Sequence, residues 1–441
     1  MKILHVVPHL GVVAVPYYIS SIRRDPDREH RVICLDTISQ KSLDYADRHG
    51  WRPIGDMSKK LDEVLALIAE SDVVLVHWWN HPLLYDFLVR EPLPPCRLVF
   101  WSHTSGTAPP NCFTDKVLKY PDKFIFTTPM SYDVKEVCDL QDKSHLGVIW
   151  STGGLDRIKH VKPVRHRGFR VGYIGLVDYA KMHPDFLAMS ADVEVPDVKF
   201  IVVGGPDAFS CQMAKEAARL GIGDKFEFTG YVSEDKKWEL LSTFDVFGYP
   251  LAPYHYGTCD FALQEAMGAG VVPVVLSNPM ESYMVKNGET GIVVSDVRGY
   301  AEAVQLLREE TGLRNRLSMT ARAYAWEMFS LEKMAAEWNV VFDELMKMPK
   351  LARQWDINRH NGKILSRDIF IESLGSHGEV FHDHYYAPNA AVRADASERI
   401  KALASLGCWR SKTKATAHQY DAFLPGDPYL STWSRMMEAG E

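Results

Sequence analysis

Short apolar runs alternate with amphipathic stretches along most of the chain. In the first half these runs are continuous, which is typical of parallel strands covered on both faces. They predict strands at 3–7, 32–35, 73–76, 98–101, 124–126 and 148–150. Between two of them, Leu61, Val64, Leu65 and Ile68 recur at helical spacing after Ser58, a candidate N-cap. Strands alternating with helices predict a doubly wound parallel sheet.

The same alternation restarts after a polar and basic stretch. Residues 152–168 contain a glycine pair, a proline and several Lys and Arg side chains, which predicts an interdomain linker. Strands are then predicted at 170–174, 199–203, 225–229, 246–249, 272–276 and 291–294, and helices at 211–220, 234–241 and 262–269. In open α/β sheets ligands bind beyond the carboxyl ends of the strands. Two successive Rossmann-like halves therefore predict a ligand cleft between them.

Four parts of the chain follow from this pattern. We expect a Rossmann-like domain at 1–160, a second at 168–325, a helix at 326–348 that packs toward the first domain, and an extension at 350–441. The extension is rich in histidine and aromatic residues and shows no sheet pattern, so its role stays open.

Composition narrows the class of protein. Hydrophobic residues make up 46% and charged residues 24% of 441 residues, which is ordinary for a soluble enzyme. The net charge of -7 argues against a nucleic-acid partner. Seven dispersed cysteines without a C-x-x-C pair favour reduced thiols and a cytoplasmic location. No apolar run approaches the roughly 20 residues that span a bilayer, although peripheral membrane contact stays open.

The most informative segment is 249–294. It contains a predicted strand, a turn-rich loop, a helix and a second strand. The loop at 257–260 opens the helix, whose first N–H groups and positive dipole end suit a phosphate or sugar hydroxyls. Glu265 lies further along this helix, where its carboxylate is placed to accept hydrogen bonds from the two hydroxyls of a ribose.

This segment resembles the donor-binding part of retaining GT-B glycosyltransferases, especially glycosyltransferase family four. Glu265-Ala266-Met267, with Gly270 before an apolar strand, matches the second half of the family signature. That signature has two glutamates eight positions apart, and the first falls at Gly257. In the family the first glutamate contacts the transferred sugar. We therefore expect the backbone of the loop to take over its contacts, with His255 or Asp260 assisting. The donor loop so predicted comprises His255, Gly257, Thr258, Cys259, Asp260 and Phe261.

Further donor contacts are implied by the resemblance. The family offers an Arg and a Lys to the donor diphosphate after the first strand of the second domain. Lys181 matches the lysine, and Leu176 stands where the arginine would be. A lysine there can offset the charge that develops on a leaving nucleoside diphosphate. The remaining implied donor contacts are Gly175, Gly204, and Tyr231 and Val232 beside the base.

The first domain offers candidate residues after its strands. Gly11 fits loosely the family's loop against the phosphates, and His103 resembles a histidine that touches the donor sugar. Trp78 and Trp79 are candidates for stacking on a sugar acceptor. His9 belongs to an alternative, because some inverting GT-B enzymes use a histidine in this loop as general base.

The resemblance implies a GT-B glycosyltransferase that moves a sugar from a nucleoside diphosphate to an acceptor hydroxyl, with retention of anomeric configuration. His103, Lys181 and Glu265 are the expected catalytic residues. A UDP- or GDP-sugar is the expected donor, and the acceptor is a carbohydrate, a lipid-linked glycan or a small molecule. We expect no cofactor and no bound metal. Two alternatives remain: an inverting enzyme with His9 as base, and a catalytically degenerate GT-B protein that only binds a sugar nucleotide or a partner.

Overall fold

The computed structural model describes the chain except for residues 12–14, 16, 17, 20–24, 26, 179, 180, 254, 256, 358, 412, 413 and 439–441. The chain divides into two compact units. The first unit combines Met1–Ile149 with Ala335–Glu441, and the second is Trp150–Met334. The first unit is therefore assembled from two separate stretches of sequence.

A six-stranded parallel sheet forms the centre of the first unit. Its strands are β1 (Lys2–Val7), β2 (Glu29–Cys34), β3 (Val73–Trp78), β5 (Leu98–Ser102), β6 (Lys123–Phe126) and β7 (Leu146–Val148). They are ordered β2-β1-β3-β5-β6-β7, and every neighbouring pair is parallel. The doubly wound sheet predicted from the continuous apolar runs is confirmed. The last strand lies earlier than predicted, because β7 ends at Val148.

Helices cover this sheet on both faces. They are α1 (Gln40–Arg48), α2 (Leu61–Glu70), α3 (Pro82–Arg90), α4 (Asp115–Lys119) and α5 (Lys135–Cys138). Ser58 was expected to cap α2, but it lies in the preceding 3-10 turn Met57–Lys59, and Lys60 occupies the cap position. No helix in the described part of the chain is both long and apolar enough to cross a membrane.

The C-terminal extension is an integral part of the first unit. It begins with β14 (Leu351–Arg353), which pairs antiparallel with β4 (Leu93–Cys96). Five helices follow: α14 (Ser366–Leu374), α15 (Glu379–Tyr386), α16 (Ala390–Leu403), α17 (Ala417–Phe423) and α18 (Pro428–Glu438). Phe370, Phe381 and Trp433 of these helices share one buried apolar cluster with Phe100 and Phe124 of the sheet. The sequence did not reveal this packing because the helices carry weak periodicity and large aromatic residues.

The second unit repeats the doubly wound architecture. Its strands are β8 (Phe169–Ile174), β9 (Val198–Val203), β10 (Phe226–Gly230), β11 (Val246–Tyr249), β12 (Val272–Leu276) and β13 (Ile292–Val294). They are parallel in the order β10-β9-β8-β11-β12-β13. The helices are α6 (Phe186–Ala191), α7 (Asp207–Arg219), α8 (Glu234–Leu241), α9 (Phe261–Ala269), α10 (Pro279–Met284), α11 (Val297–Glu309), α12 (Thr311–Met328) and α13 (Leu331–Met346). Helix α13 continues into the first unit, and it occupies most of the helix predicted at 326–348, whose first residues, 326–328, end α12.

The stretch predicted as a linker lies entirely within the second unit. The amide of Gly153 donates to Gln264 Oε1 at 3.3 Å, and Leu155 and Ile158 are buried. A Cβ added to Gly268 of α9 would lie 3.0 Å from Leu155, so this helix presses closely on the segment. The Gly-rich, basic composition suggested an exposed connection, but the glycines serve close packing instead.

The structural role of the C-terminal extension can be tested by removing one of its large buried side chains. Trp433 is 0% exposed, and its ring centroid lies 5.2 Å from that of Phe381. We expect Trp433→Ala to lower the free energy of unfolding by about 3–5 kcal/mol, as measured by urea denaturation. Tyr386→Ala is the matched control, because Tyr386 is 46% exposed. Equal effects of the two substitutions would show that the extension does not unfold together with the sheet.

Candidate functional site

The donor residues predicted in the second unit follow four adjacent strands. Gly175 follows β8, Gly204 follows β9, Tyr231 follows β10, and the donor loop follows β11. Since these strands are parallel, their carboxyl ends share one edge of the sheet. Residues 254 and 256 of the donor loop lie outside the described residues.

Lys181 and Asp260 form an ion pair at this edge. Lys181 Nζ lies 2.7 Å from Asp260 Oδ1, and both side chains are largely buried. Asp260 occupies the N-cap position of α9, and its side chain makes no capping hydrogen bond. The other carboxylate oxygen, Oδ2, is buried and has no hydrogen-bond partner within the described residues. The edge therefore holds a cation fixed in place and a buried acceptor oxygen with no hydrogen-bond donor among the described residues.

The side chain of His255 holds the donor loop in place. The amide of Gly257 donates to His255 Nδ1 at 3.0 Å, so Nδ1 is the acceptor and Nε2 carries the proton. Nε2 lies 3.1 Å and 3.2 Å from the two carboxylate oxygens of the fully buried Glu281. The loop backbone was expected to take over the contacts of the missing glutamate, but the amide of Gly257 is already bonded to His255. The ring of His255 holds the loop in place through both of its nitrogens.

The same group also has the spacing of a metal site. One ligand atom from each of His255, Asp260 and Glu281 lies within 4.8 Å of the other two. However, both nitrogens of the histidine are engaged, and the Lys181 ammonium already lies on Asp260. An ammonium this close opposes a divalent cation by charge repulsion. The donor set is better suited to polar groups of an organic ligand.

Glu265 is buried between two cations. Its carboxylate lies 3.1 Å from Lys237 Nζ and 3.3 Å from an Arg157 nitrogen, and the residue is 4% exposed. Burial raises the pKa of Glu265, and the two cations act in the opposite direction. An ionised carboxylate has about four lone-pair sites. Three contacts leave room for a further hydroxyl donor.

Gln264 ties the donor loop to the start of the second unit. Its Nε2 donates to Ser151 O at 2.9 Å and lies 2.8 Å from Cys259 Sγ. Phe261 packs against the backbone of Gly153, where an added Cβ would lie 2.8 Å from Phe261 Cβ. The side chains of Cys259 and Phe261 therefore serve packing, while Thr258 between them is half-buried. Contacts of Cys259 and Phe261 with a donor substrate would therefore be made by their backbone.

Two glycines allow the β8 and β9 loops to touch. Gly204 has φ +135°, and a Cβ there would lie 1.9 Å from Gly175 O, so no other residue fits. The ring of Tyr231 lies over Gly205, with 2.4 Å to an added Cβ, yet Tyr231 is 71% exposed. An exposed aromatic face supported by backbone can accept a planar base. Val232, the other residue predicted near the base, is half-buried.

In the first unit, His9 is paired with a carboxylate. His9 Nδ1 lies 3.1 Å from Asp36 Oδ2, and His9 is exposed on the loop after β1. Asp36 follows β2, the neighbouring strand, so the sheet order brings the two side chains together. Gly11 is exposed, with open space around its Cα.

The ring of His103, which follows β5, contacts the ring of Trp79, whereas its backbone amide donates to Trp78 O at 2.8 Å. Trp79 is half-buried and its ring centroid lies 5.6 Å from that of His103. Trp78 is 0% exposed and stacks on Phe100 at 5.3 Å. The prediction of an acceptor contact at Trp78 is wrong, because alternate residues of β3 face opposite sides of the sheet and Trp78 faces the apolar core.

Several residues of the site were missed by sequence reasoning. Arg157 and Lys237 hold Glu265, Glu281 holds His255, and Asp36 holds His9. Each partner is far from its residue in sequence, and charged residues of this kind are common on surfaces. Of these partners, only Asp36 could have been found from the sequence, because it lies at the end of the predicted strand that neighbours β1.

Comparisons with known proteins bear on the fold and on family similarity. Residues 156–324 match the family model described as Glycosyl transferases group 1. A 2-deoxystreptamine N-acetyl-D-glucosaminyltransferase of Streptomyces fradiae is 32% identical over 120 residues, which cover 26% of each protein. The chain therefore spans about a quarter of the length of this curated relative.

Solved structures share the fold at low identity. HepE of Anabaena in complex with UDP aligns with a TM-score of 0.63 and 17% identity over 78% of this chain and 100% of its own. A glycosyltransferase from Rickettsia africae aligns with a TM-score of 0.64 and 13% identity over 78% of this chain and 98% of its own. Sucrose-phosphate synthase from Thermosynechococcus elongatus aligns with a TM-score of 0.61 and 15% identity over 79% of this chain and 100% of its own. The chain thus has the GT-B fold of two Rossmann-like units, and its residues 156–324 are similar to the glycosyl transferases group 1 family.

Proposed function

We propose that this protein is a glycosyltransferase that moves a sugar from a UDP-sugar to an acceptor hydroxyl. The observation that carries the proposal is the Lys181–Asp260 pair at the start of α9, with Glu265 on the same helix. These groups offer a cation for a diphosphate, an acceptor for a sugar hydroxyl and an acceptor for a ribose. UDP is favoured as the nucleotide because HepE of Anabaena has been solved with UDP and with UDP-glucose.

Asp260 substitutes for the glutamate that is missing at position 257. A Cβ at Gly257 would lie 3.3 Å from Asp260 Oδ2 and 2.8 Å from His255 Nδ1. The carboxylate of Asp260 therefore lies beside the place where a longer side chain at 257 would begin. Its unpartnered oxygen accepts a hydroxyl of the transferred sugar, while Lys181 turns from Oδ1 toward the diphosphate.

The proposed reaction retains the anomeric configuration. The leaving diphosphate takes the proton of the acceptor hydroxyl on the face from which it departs, and Lys181 stabilises the charge that develops on it. Glu265 holds the ribose so that the reacting atoms stay in position. His103 contacts the donor sugar and Trp79 contacts a carbohydrate, lipid-linked or small-molecule acceptor. A cytoplasmic location, where nucleotide sugars are made, fits this role.

An inverting reaction is the second candidate, and the His9–Asp36 pair favours it. A carboxylate 3.1 Å from Nδ1 holds the proton there and leaves Nε2 to act as a base. Such a base would deprotonate the acceptor on the face opposite to the leaving group. The two mechanisms give products of opposite anomeric configuration.

Nucleotide binding is the first test. At a hundred times its Kd, UDP is expected to stabilise the folded protein by about 2.7 kcal/mol, which a thermal-shift measurement detects. Lys181→Met should weaken UDP binding roughly tenfold, since a charged hydrogen bond contributes about 1.5–3 kcal/mol. A larger shift with GDP than with UDP would contradict the proposed base. Binding without turnover over a panel of donors and acceptors would favour a degenerate binding protein.

Glu265 provides the second test. Glu265→Gln keeps the shape of the side chain but removes its charge, and we expect kcat/KM for transfer to fall about 10- to 100-fold. Glu239→Gln is the control, because Glu239 is exposed on α8 and pairs only with Lys236 among the described residues. Transfer by Glu265→Gln at the rate of the control would refute the ribose contact.

The stereochemical test separates the two mechanisms. NMR of the initial product is expected to show the anomeric configuration of the donor. His9→Ala should then lower kcat less than about tenfold, because the leaving phosphate acts as the base. An inverted product, together with a loss of about 10²–10⁴-fold in His9→Ala, would establish the inverting mechanism instead. In that case Asp36→Asn should also lower kcat, because the carboxylate of Asp36 orients His9.

A further inference from the structure

Two cations contact the buried carboxylate of Glu265, and they do so unevenly. Lys237 Nζ bridges the carboxylate, at 3.3 Å from Oε1 and 3.1 Å from Oε2. Arg157 Nη2 donates to Oε1 at 3.3 Å. Among the described residues, Oε1 therefore meets two charged donors and Oε2 meets one.

Three separate elements bring these side chains together. Glu265 lies on α9 and Lys237 on α8, whereas Arg157 lies in the 3-10 turn Leu155–Ile158. The first and last residues of this turn are buried, so the turn is anchored in the second unit. The cations thus reach the carboxylate from two elements that are fixed independently of α9.

The indole of Trp238 restricts both cations. Lys237 Nζ lies 3.9 Å and Arg157 Cζ 5.4 Å from the ring centroid of Trp238, which is itself buried. Arg157 also lies 2.9 Å from Glu234 Oε1, one turn before Lys237 on α8. A cation held by both an aromatic face and a carboxylate loses two favourable contacts when it moves away. Both cations are therefore held at Glu265 before any ligand binds.

The uneven contacts limit what Glu265 can still accept. An ionised carboxylate has about four lone-pair sites, two on each oxygen. The contacts of Lys237 and Arg157 use both sites of Oε1 and one site of Oε2. A single site remains, and it lies on Oε2. The sequence predicted hydrogen bonds from both hydroxyls of a ribose, whereas this arrangement leaves room for one.

We propose that Lys237 and Arg157 are specificity-determining residues, because they restrict Glu265 to a single ribose hydroxyl of the bound nucleotide. Both act through Glu265 and are thus positioning residues of the ribose subsite. The restriction rests on the proposed function, which places a ribose at Glu265. The donor class that follows is a nucleoside diphosphate with a free hydroxyl at one defined ribose position. The neighbouring position is not read by this carboxylate.

Three nucleotides test the restriction: UDP, 2′-deoxy-UDP and 3′-deoxy-UDP, each titrated calorimetrically into the full chain. In the wild type, one deoxy analogue should bind at least about tenfold more weakly than UDP, because it lacks a hydrogen bond to a charged acceptor. The other analogue should bind within about threefold of UDP, because its missing hydroxyl makes no such bond.

Removing a cation should change this pattern. Lys237→Met frees one site on each oxygen, so both hydroxyls can bond to Glu265. Both analogues should then bind more weakly than UDP by similar factors, roughly threefold to tenfold. Lys237→Arg keeps a cation with several donors and should retain the wild-type pattern. A partly unfolded variant would scale all three dissociation constants together and leave their ratios unchanged, so the ratios report on the subsite alone.

Two further variants keep the test decisive. Arg157→Met frees a site on Oε1 and should change the ratios in the same direction as Lys237→Met. Lys236→Met is the matched control, because Lys236 is the neighbouring lysine on α8, is exposed and pairs with Glu239 at 2.8 Å. The control should keep the wild-type ratios. An equal change in Lys236→Met would contradict the specific role of the two cations.

The pattern of outcomes separates the restriction from the proposed function. Equal losses for the two analogues in the wild type would show that both hydroxyls are read, which would overturn the restriction and support the ribose contact. Wild-type ratios in both Lys237→Met and Arg157→Met would also overturn the restriction alone. Binding of UDP that depends on neither hydroxyl would refute the ribose contact in the proposed function, and the restriction with it.

Discussion

The parallel direction of the strands in the two six-stranded sheets is the constraint on which the site depends. In each of these sheets every neighbouring pair is parallel, so the carboxyl ends of its strands lie on one edge of that sheet. The loops at that edge carry Lys181 and Asp260 in the second unit and His9 and His103 in the first. Residues far apart in sequence meet there because the sheet order makes their strands neighbours. The chemistry of the protein is thus a consequence of strand order as much as of residue type.

Charge placement at this edge follows a consistent physical rule. Buried charged groups are stable only when they are paired and hydrogen-bonded. Glu265 is held by Lys237 and Arg157, and Asp260 is held by Lys181. Each pair leaves part of the carboxylate available for another donor. A ligand hydroxyl can therefore bond to either carboxylate while that carboxylate keeps its cation.

The sequence predicted the fold far better than the side-chain contacts. Continuous apolar runs located the strands of both sheets, and the Glu265 motif located α9, because both signals are local. The partners of Glu265, His255 and His9 were missed because they depend on long-range pairing. Trp78 was assigned to the wrong role because periodicity within β3 did not show which face was covered. The glycine pair at 153 and 154 was predicted to lie in an interdomain linker, although Gly153 packs closely on Phe261 of α9.

The discontinuous composition of the first unit has a consequence for synthesis. Trp150–Met334 is a continuous stretch, and it can complete its fold while the chain is still being extended. The first unit needs Ala335–Glu441, which supplies Trp433 and other core side chains. Its N-terminal sheet therefore keeps apolar surface exposed until residues 335–441 have been synthesised. During synthesis this surface stays uncovered for longer than that of Trp150–Met334.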